Sequence, residues 1–370
     1  MKDKKIFVYV NAPYVCPSGY YRILQYIDSD TIQSVTIHGL MTANVYKKWH
    51  SLSKHSQKFF SALLFVFINI RTLCFLISDI TKAKKGDILI INRTISPRYI
   101  SFIHVLLLKL LCRKTQLIWD FDDNILQSGT CSVKEFNVLS EMSKRIIVTH
   151  TFLKNTIMGV YHDKVTLFPT TDGDMCKYNL FEILEERRKL FDCEICLVWV
   201  ATSGGLIYLQ RIIPILEDTA KKILYSSGRL LRLKVVCNKP LETQTEFLKI
   251  DNILWNHDTA IQCMKYAHIG IMPLIENEFT LGKGGFKLIQ YLSIGLPVIA
   301  SNVGFNNEII NSECGFSLND KDDLMSWEMA IISMTESWEK YEQLAIHAKK
   351  QYDDNYSFRR NKVLWDSILK

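Results

Sequence analysis

The chain runs through one pattern twice: short β-branched runs alternate with amphipathic stretches, stop at Pro169-Thr170-Thr171-Asp172-Gly173-Asp174, and start again. Such alternation predicts parallel α/β architecture, because each crossover between parallel strands needs a helix to cover the sheet. In the first half it predicts strands over Ile6–Val10, Val35–His38, Asp87–Ile91, Gln116–Trp119, Arg145–Thr149 and Val165–Phe168. Helices are expected near Ser18–Ile27, Phe59–Ile80, Ile100–Cys112, Val133–Ser143 and Phe152–Val160. In the second half the predicted strands are Leu197–Val200, Leu231–Cys237, Ile253–Trp255, Ile269–Met272 and Pro297–Ser301. Helices Leu206–Leu224, Thr259–Tyr266 and Gly285–Ile294 lie between them. With 370 residues, two domains are the natural expectation. We place them at 1–170 and 171–354, both Rossmann-like, facing each other across a cleft at their strand C-termini.

Charge separates the halves. Residues 1–170 hold 22 Lys/Arg against 11 Asp/Glu, whereas residues 171–370 hold 23 against 27, so the net charge of +7 comes wholly from the first half. A basic half-molecule predicts an anionic partner, and RNA-type aromatic motifs are absent, which favours a membrane surface over nucleic acid. The same half carries the most apolar segments, Phe59–Ile80 and Tyr99–Leu111. The first has the length of a membrane span, yet Asn69 and Arg71 sit in its middle. The open readings are a covering helix of the sheet, an interfacial helix and a true span. The ten cysteines follow no secretory leader, which predicts reduced thiols and a cytoplasmic location. Cys193 and Cys196 form one CxxC without a second pair, and read as core thiols rather than a zinc site.

The stretch 270–304, GIMPLIENEFTLGKGGFKLIQYLSIGLPVIASNVG, is the most informative. Gly282, Gly284 and Gly285 free the backbone just before a helix, whose N-terminal amides attract anions. Lys283, Lys287 and Gln290 follow i, i+4, i+7 spacing, which predicts one polar stripe suited to a diphosphate and a ribose. No Lys-Ser/Thr follows, so this is not a Walker A loop. A second cluster, Asp120, Asp122 and Asp123, ends a predicted strand. There a carboxylate would orient or deprotonate an acceptor hydroxyl, and close like charges would raise one pKa. Asp120-Phe121-Asp122 also fits a metal-binding DxD, against which the second α/β half argues. Arg93 follows a strand and is read either as a site cation or as a surface one.

The 270–304 stretch resembles the donor-site signature of GT-B glycosyltransferases of family 4, the group 1 glycosyl transferases. It is closest to a subgroup reading GKxxxKLIxYxxxGxPVxAS, matched here from Gly282 and Lys283 through Lys287, Tyr291, Gly295 and Pro297 to Ser301. Weaker likenesses run along most of the chain. Trp199–Leu209 resembles the first strand–loop–helix of the donor domain, and Pro17–Arg22 the first loop of the acceptor domain. Asp122 falls where relatives carry a His, and the C-terminal helix 355–370, with Trp365, resembles one that packs back on the first domain. The pattern departs at Gly282 and Gln290, where many members have two glutamates.

The resemblance implies an enzyme, a hexosyltransferase-type glycosyltransferase. It would move a sugar from a nucleoside-diphosphate donor to a glycan or lipid-linked glycan in bacterial surface polysaccharide, capsule or lipopolysaccharide assembly. Donor contacts are expected from Ser203, Gly204, Gly282, Lys283, Gly284, Gly285, Lys287 and Gln290, and acceptor contacts from Gly19, Tyr20, Arg22, Asp120 and Asp122. Asp122, Asp123, Lys283 and Lys287 are the expected catalytic groups, with no metal and no cofactor. The enzyme is expected at the inner face of the cytoplasmic membrane as a peripheral protein, with no nucleic acid bound. The missing acidic pair leaves a non-catalytic scaffold or partner-binding subunit as the alternative, and a nucleotide-sugar epimerase on the same fold as a third.

Overall fold

The computed structural model describes residues 4–27, 34–321 and 323–369. By its internal contacts the chain divides into two units. Unit 1 comprises Met1–Thr170, Gly282–Gly284 and Lys362–Lys370; unit 2 comprises Thr171–Leu281 and Gly285–Asn361.

Unit 1 is built on a six-stranded sheet of β1 (Ile6–Val10), β2 (Val35–Gly39), β3 (Asp87–Asn92), β4 (Thr115–Phe121), β5 (Arg145–Val148) and β6 (Val165–Leu167). Every adjacent pair is parallel, in the order β2-β1-β3-β4-β5-β6. The residues of β1 and β3 are buried along their whole length, as expected for strands covered on both faces. Three helices matter for the site: α1 (Ala43–Ser51), α2 (Lys54–Lys82) and α3 (Phe102–Cys112). Each starts at a hydroxyl cap, Thr42, Ser53 or Ser101, whose side chain accepts a backbone N–H three residues on. The sequence pattern leaves α1 unread and makes α2 shorter than its 29 residues.

Helix α2 has two kinds of contact. Ile68, Thr72, Leu76 and Asp79 are buried, and Asp79 accepts from the Tyr9 hydroxyl at 2.7 Å and meets His38 Nε2 at 3.0 Å. Its mid-helix polar residues are also committed: Arg71 Nε donates to the Gly39 carbonyl at 2.8 Å, and Asn69 Oδ1 accepts from Ser96 at 2.6 Å. The opposite face is apolar and bare, with Phe59 75% and Leu63 67% exposed, and Phe102 of α3 73% exposed. The helix is long and apolar enough to cross a membrane, yet its buried stripe is that of a sheet-covering helix.

Unit 2 repeats the architecture with β7 (Glu194–Val200), β8 (Leu230–Cys237), β9 (Lys249–Leu254), β10 (Ile269–Met272), β11 (Val298–Ser301) and β12 (Gly315–Leu318). All pairs are parallel, in the order β12-β11-β10-β7-β8-β9. Strand β12 is absent from the sequence reading, because Gly315 opens a run of four residues too short to carry a period. Helices α4 (Leu206–Ser227), α5 (His257–Tyr266) and α6 (Phe286–Ser293) follow β7, β9 and the loop after β10. Cys196 is buried on β7, but Cys193 just ahead of the strand is exposed and is not a core thiol. The C-terminal helix α7 (Phe358–Leu369) brings Trp365 to unit 1, where its Nε1 donates to the Arg22 carbonyl at 2.9 Å and its ring stacks on Tyr26.

Candidate functional site

In unit 1 the strand order reverses between β1 and β3, and crossovers leave that point in opposite directions, the place where open α/β sheets take ligands. After β1 the chain turns into a short helical segment that includes a π-helical turn, Tyr20–Leu24. Gly19 is needed there for close approach: an added Cβ would lie 3.1 Å from that of Val10. Gly19 is therefore buried, whereas Tyr20 is half-buried.

Arg22 and Asp120, expected at the acceptor, are both fully buried and bonded to each other, Nη2 to Oδ1 at 2.5 Å and Nε to Oδ1 at 3.0 Å. Arg22 also donates to the Phe168 carbonyl and to Thr170 Oγ1, and Asn92 Nδ2 donates to Asp120 Oδ2 at 2.8 Å. This correction has a simple cause. β4 runs on to Phe121, so Asp120 lies inside the sheet rather than beyond its end. Burial pushes the Asp120 carboxyl up, and Arg22 opposes that. The pair, fully buried, ties the strand end to the segment after β1.

Asp122 and Asp123 stand beyond the strand and share Arg93. Its Nε donates to Asp122 Oδ1 at 2.8 Å and its Nη2 to Asp123 Oδ2 at 2.5 Å, while Ser18 Oγ donates to Asp122 Oδ1 at 2.8 Å. Burial pushes both carboxyls up. In Asp122 the charges of Arg93 and Arg22 outweigh it and hold the group below the usual carboxylate range. In Asp123 burial wins and the group is raised. Arg93 is thus paired with two carboxylates, and Ser18 and Asn92 join the cluster without any signal in the sequence beyond their place next to a strand.

In unit 2 the order reverses between β7 and β10. After β7, Ser203 and Gly204 form a 3₁₀ turn leading into α4, with the Ser203 N–H donating to Asn238 Oδ1 at 2.7 Å. Helix α6 begins after Gly285, whose φ of +61° is left-handed and where an added Cβ would meet Ile309 Cδ1 at 2.2 Å. That conformation breaks the helix phase, so Lys283 is not on one stripe with Lys287 and Gln290. Gly282, Lys283 and Gly284 group with unit 1, where burial lowers the Lys283 ammonium and Asp123 opposes the shift.

On α6 itself, Lys287 Nζ donates to Gln290 Oε1 at 2.9 Å, and Gln290 Nε2 donates to Asp172 Oδ2 at 2.7 Å. Asp172 is buried and caps the turn Gly173–Lys177, accepting from the Asp174 N–H at 3.0 Å. Burial lowers the Lys287 ammonium to about 8, and Asp172 opposes it. Lys287 makes no ion pair among the described residues. Asp172, which reads as a mere turn residue in the sequence, supplies a carboxylate behind Gln290. His257 Nε2 stands 3.6 Å from Asp172 and 4.0 Å from Asp174, and the nearby Asp172 carboxylate raises its pKa. Among the described residues, these three side chains come close enough to share a cation; Asp120 and Asp122 do not meet that condition with a third ligand.

Two doubly wound sheets in one chain, each with a ligand point at its reversal, narrow the comparison with known proteins. The solved structure of HepE from Anabaena with UDP and glucose superposes with a TM-score of 0.64, covering 99% of each chain at 12% identity. The fold is GT-B. The N-terminal domain of trehalose-6-phosphate phosphatase from Candida albicans shares this GT-B fold with a TM-score of 0.63 at 9% identity, covering 100% of this chain and 97% of that one. Sucrose-phosphate synthase from Thermosynechococcus elongatus gives 0.50 at 13% identity over 76% of this chain and 72% of its own. Residues 200–337, which carry α6 and its flanking strands β10 and β11, match the family described as glycosyl transferases group 1. No curated protein matches the chain in sequence.

Proposed function

We propose that this GT-B chain is a glycosyltransferase that moves a hexose from a nucleoside-diphosphate donor, held by unit 2, to a glycan or lipid-linked acceptor, held by unit 1. The observation that carries the reading is Lys287, a half-buried cation without an ion pair among the described residues, on the first turn of α6 within the family-matched segment. A departing diphosphate would be stabilised there by Lys287 and the α6 amides. Gln290 hydrogen-bonds a ribose hydroxyl in this reading, backed by Asp172 in place of the glutamate found in many relatives. Structures of similar fold contain UDP, UDP-glucose or ADP, which supports a nucleoside diphosphate as the leaving group.

At the acceptor, Asp123 is the better placed proton acceptor, because its carboxyl is raised while Asp122 is held ionised by Arg93. Bacterial surface polysaccharide assembly at the inner face of the cytoplasmic membrane is the process we assign. Its support is the positive charge of residues 1–170 and the bare apolar face of α2 and α3. Calorimetry with UDP-, GDP-, ADP-, CMP- and dTDP-sugars, followed by donor hydrolysis without acceptor, tests the proposal. Binding of one class with slow hydrolysis is expected. Binding of none would leave the scaffold reading, and release of an epimerised donor would make it an epimerase.

A further inference from the structure

A cavity of about 250 Å³ lies in unit 1 at the reversal between β1 and β3, just below the usual size of a small-molecule site. Its two sides differ in chemistry. One is apolar: Leu40 and Met41 after β2, Trp49 of α1, and Leu64 and Ile68 of α2. The other is polar and basic: Asn92, Arg93 and Thr94 at the end of β3, and Arg98 farther along the same loop.

The loop is built to hold those arginines. Arg93 and Arg98 have φ of 62° and 68°, a left-handed conformation uncommon outside glycine. Buried Glu135 pins the segment between them, accepting from Thr94 Oγ1 at 2.8 Å, the Ile95 N–H at 2.8 Å and the Ser96 N–H at 3.3 Å. Arg93 is fixed further, by its N–H to the Asp120 carbonyl at 2.7 Å and by Trp119 Nε1 to its own carbonyl at 3.0 Å. Its guanidinium is shared with Asp122 and Asp123, so it links the cavity to the proposed acceptor base. Arg98 is exposed at the rim and makes no ion pair among the described residues.

We infer that this cavity takes an alkyl phosphate: the phosphate on Arg98 and the loop polar groups, the first part of the chain along Leu64 and Ile68. The inference rests on the glycosyltransferase reading for its role, since the ligand would be the acceptor's lipid-phosphate end, with its sugar hydroxyl toward Asp122 and Asp123. The apolar wall belongs to α2, whose other face is bare and apolar. Free phosphate meets only the basic side and a neutral alkyl sugar only the apolar side; neither engages both.

Calorimetry on the full chain with octyl phosphate, octyl glucoside and inorganic phosphate, each below any micellar concentration, separates these sources. Octyl phosphate is expected to bind at least tenfold tighter than either of the others. Arg98→Gln should bring it down to the octyl glucoside level, and Ser61→Trp, which fills the α2 side of the cavity, should weaken it tenfold. Quenching of Trp49 fluorescence by octyl phosphate, lost in Trp49→Phe, gives a readout independent of both variants. Equal affinity for all three probes, or binding untouched by both substitutions and without Trp49 quenching, overturns the assignment. If nucleotide sugars bind and octyl phosphate does not, the cavity assignment fails alone. If octyl phosphate binds and no nucleotide sugar does, the transferase reading fails and the cavity stands.

Discussion

The two ligand points handle buried charge in opposite ways. In unit 1, Arg22 is matched by Asp120, and Arg93 by Asp122 and Asp123, so both arginines at the strand ends are paired with carboxylates before any ligand arrives. In unit 2, half-buried Lys287 packs against an amide and only indirectly against Asp172, and its ammonium is lowered to about 8. A matched set serves to position a ligand. An unmatched, partly desolvated cation is strained until an anion arrives, and it gains most from one whose charge grows during reaction. The contrast teaches which unit is pre-built for geometry and which for charge.

The largest expected effect tests the matched side. Arg22→Ala leaves Asp120 buried and ionised without its partner, which costs about 3–5 kcal/mol of stability for a fully buried pair. Urea unfolding should register that loss while nucleotide affinity in unit 2 stays within about twofold. A loss below about 1 kcal/mol would mean that Asp120 is carried protonated, and the matched-charge description of unit 1 would fall.

The unmatched side is tested by turnover. Lys287→Ala should reduce it by roughly ten- to a thousandfold through lost neutralisation of the leaving diphosphate. Sign matters for pH: Lys287 is cationic below its lowered value, so kcat/KM should hold up to about pH 8 and decline above it. Stability runs the other way. The unfolded chain binds the extra proton between about 8 and 10.5, so this group's penalty is relieved as pH rises through that window. Lys287→Arg should carry the alkaline decline of activity upward. A profile flat to pH 10 would take Lys287 out of the donor site.

Much of the fold was legible beforehand, and the gaps have physical causes. The strands read clearly because fully buried parallel strands are continuous apolar runs, as in IFVYV and DILIIN. Helix α6 read clearly because glycines precede a strong apolar pattern. What sequence spacing got wrong is phase: it carried Lys283 onto the helix, which Gly285 at φ +61° prevents. It also placed Arg22 and Asp120 at a ligand, since spacing is blind to burial. Asp172 reaches Gln290 across 118 positions, and nothing local announces such a pairing.

A smaller effect separates the units at a membrane. Unit 1 holds the basic excess and the bare face of α2, so anionic vesicles should bind the protein at low salt, each basic residue contributing about 1 kcal/mol at best. Roughly molar salt should release it only in part, because the apolar contribution of Phe59 and Leu63 is not screened. Phe59→Glu with Leu63→Glu should make release complete. Sedimentation with vesicles reads this directly, and protein that never pellets with them would reduce α2 to a covering helix.

The smallest expected effect is a null one, and it is informative because the two units offer different answers to a cation. At Asp120 and Asp122 the carboxylate oxygens already accept from Arg22, Asn92, Arg93 and Ser18, so a divalent ion would have to displace two arginines. Leaving-group charge is assigned to Lys287 and the α6 amides. EDTA is therefore expected to leave turnover within about twofold, and added manganese or magnesium to change it no more. Asp172, Asp174 and His257 are the described group with room for an ion, and they sit behind Gln290. Any metal response should accordingly disappear in Asp174→Asn and appear in nucleotide affinity rather than in kcat. Strict dependence of kcat on a divalent ion, unchanged in Asp174→Asn, would return the metal to the acidic strand end and remove the distinction between a positioning unit and a charge-neutralising one.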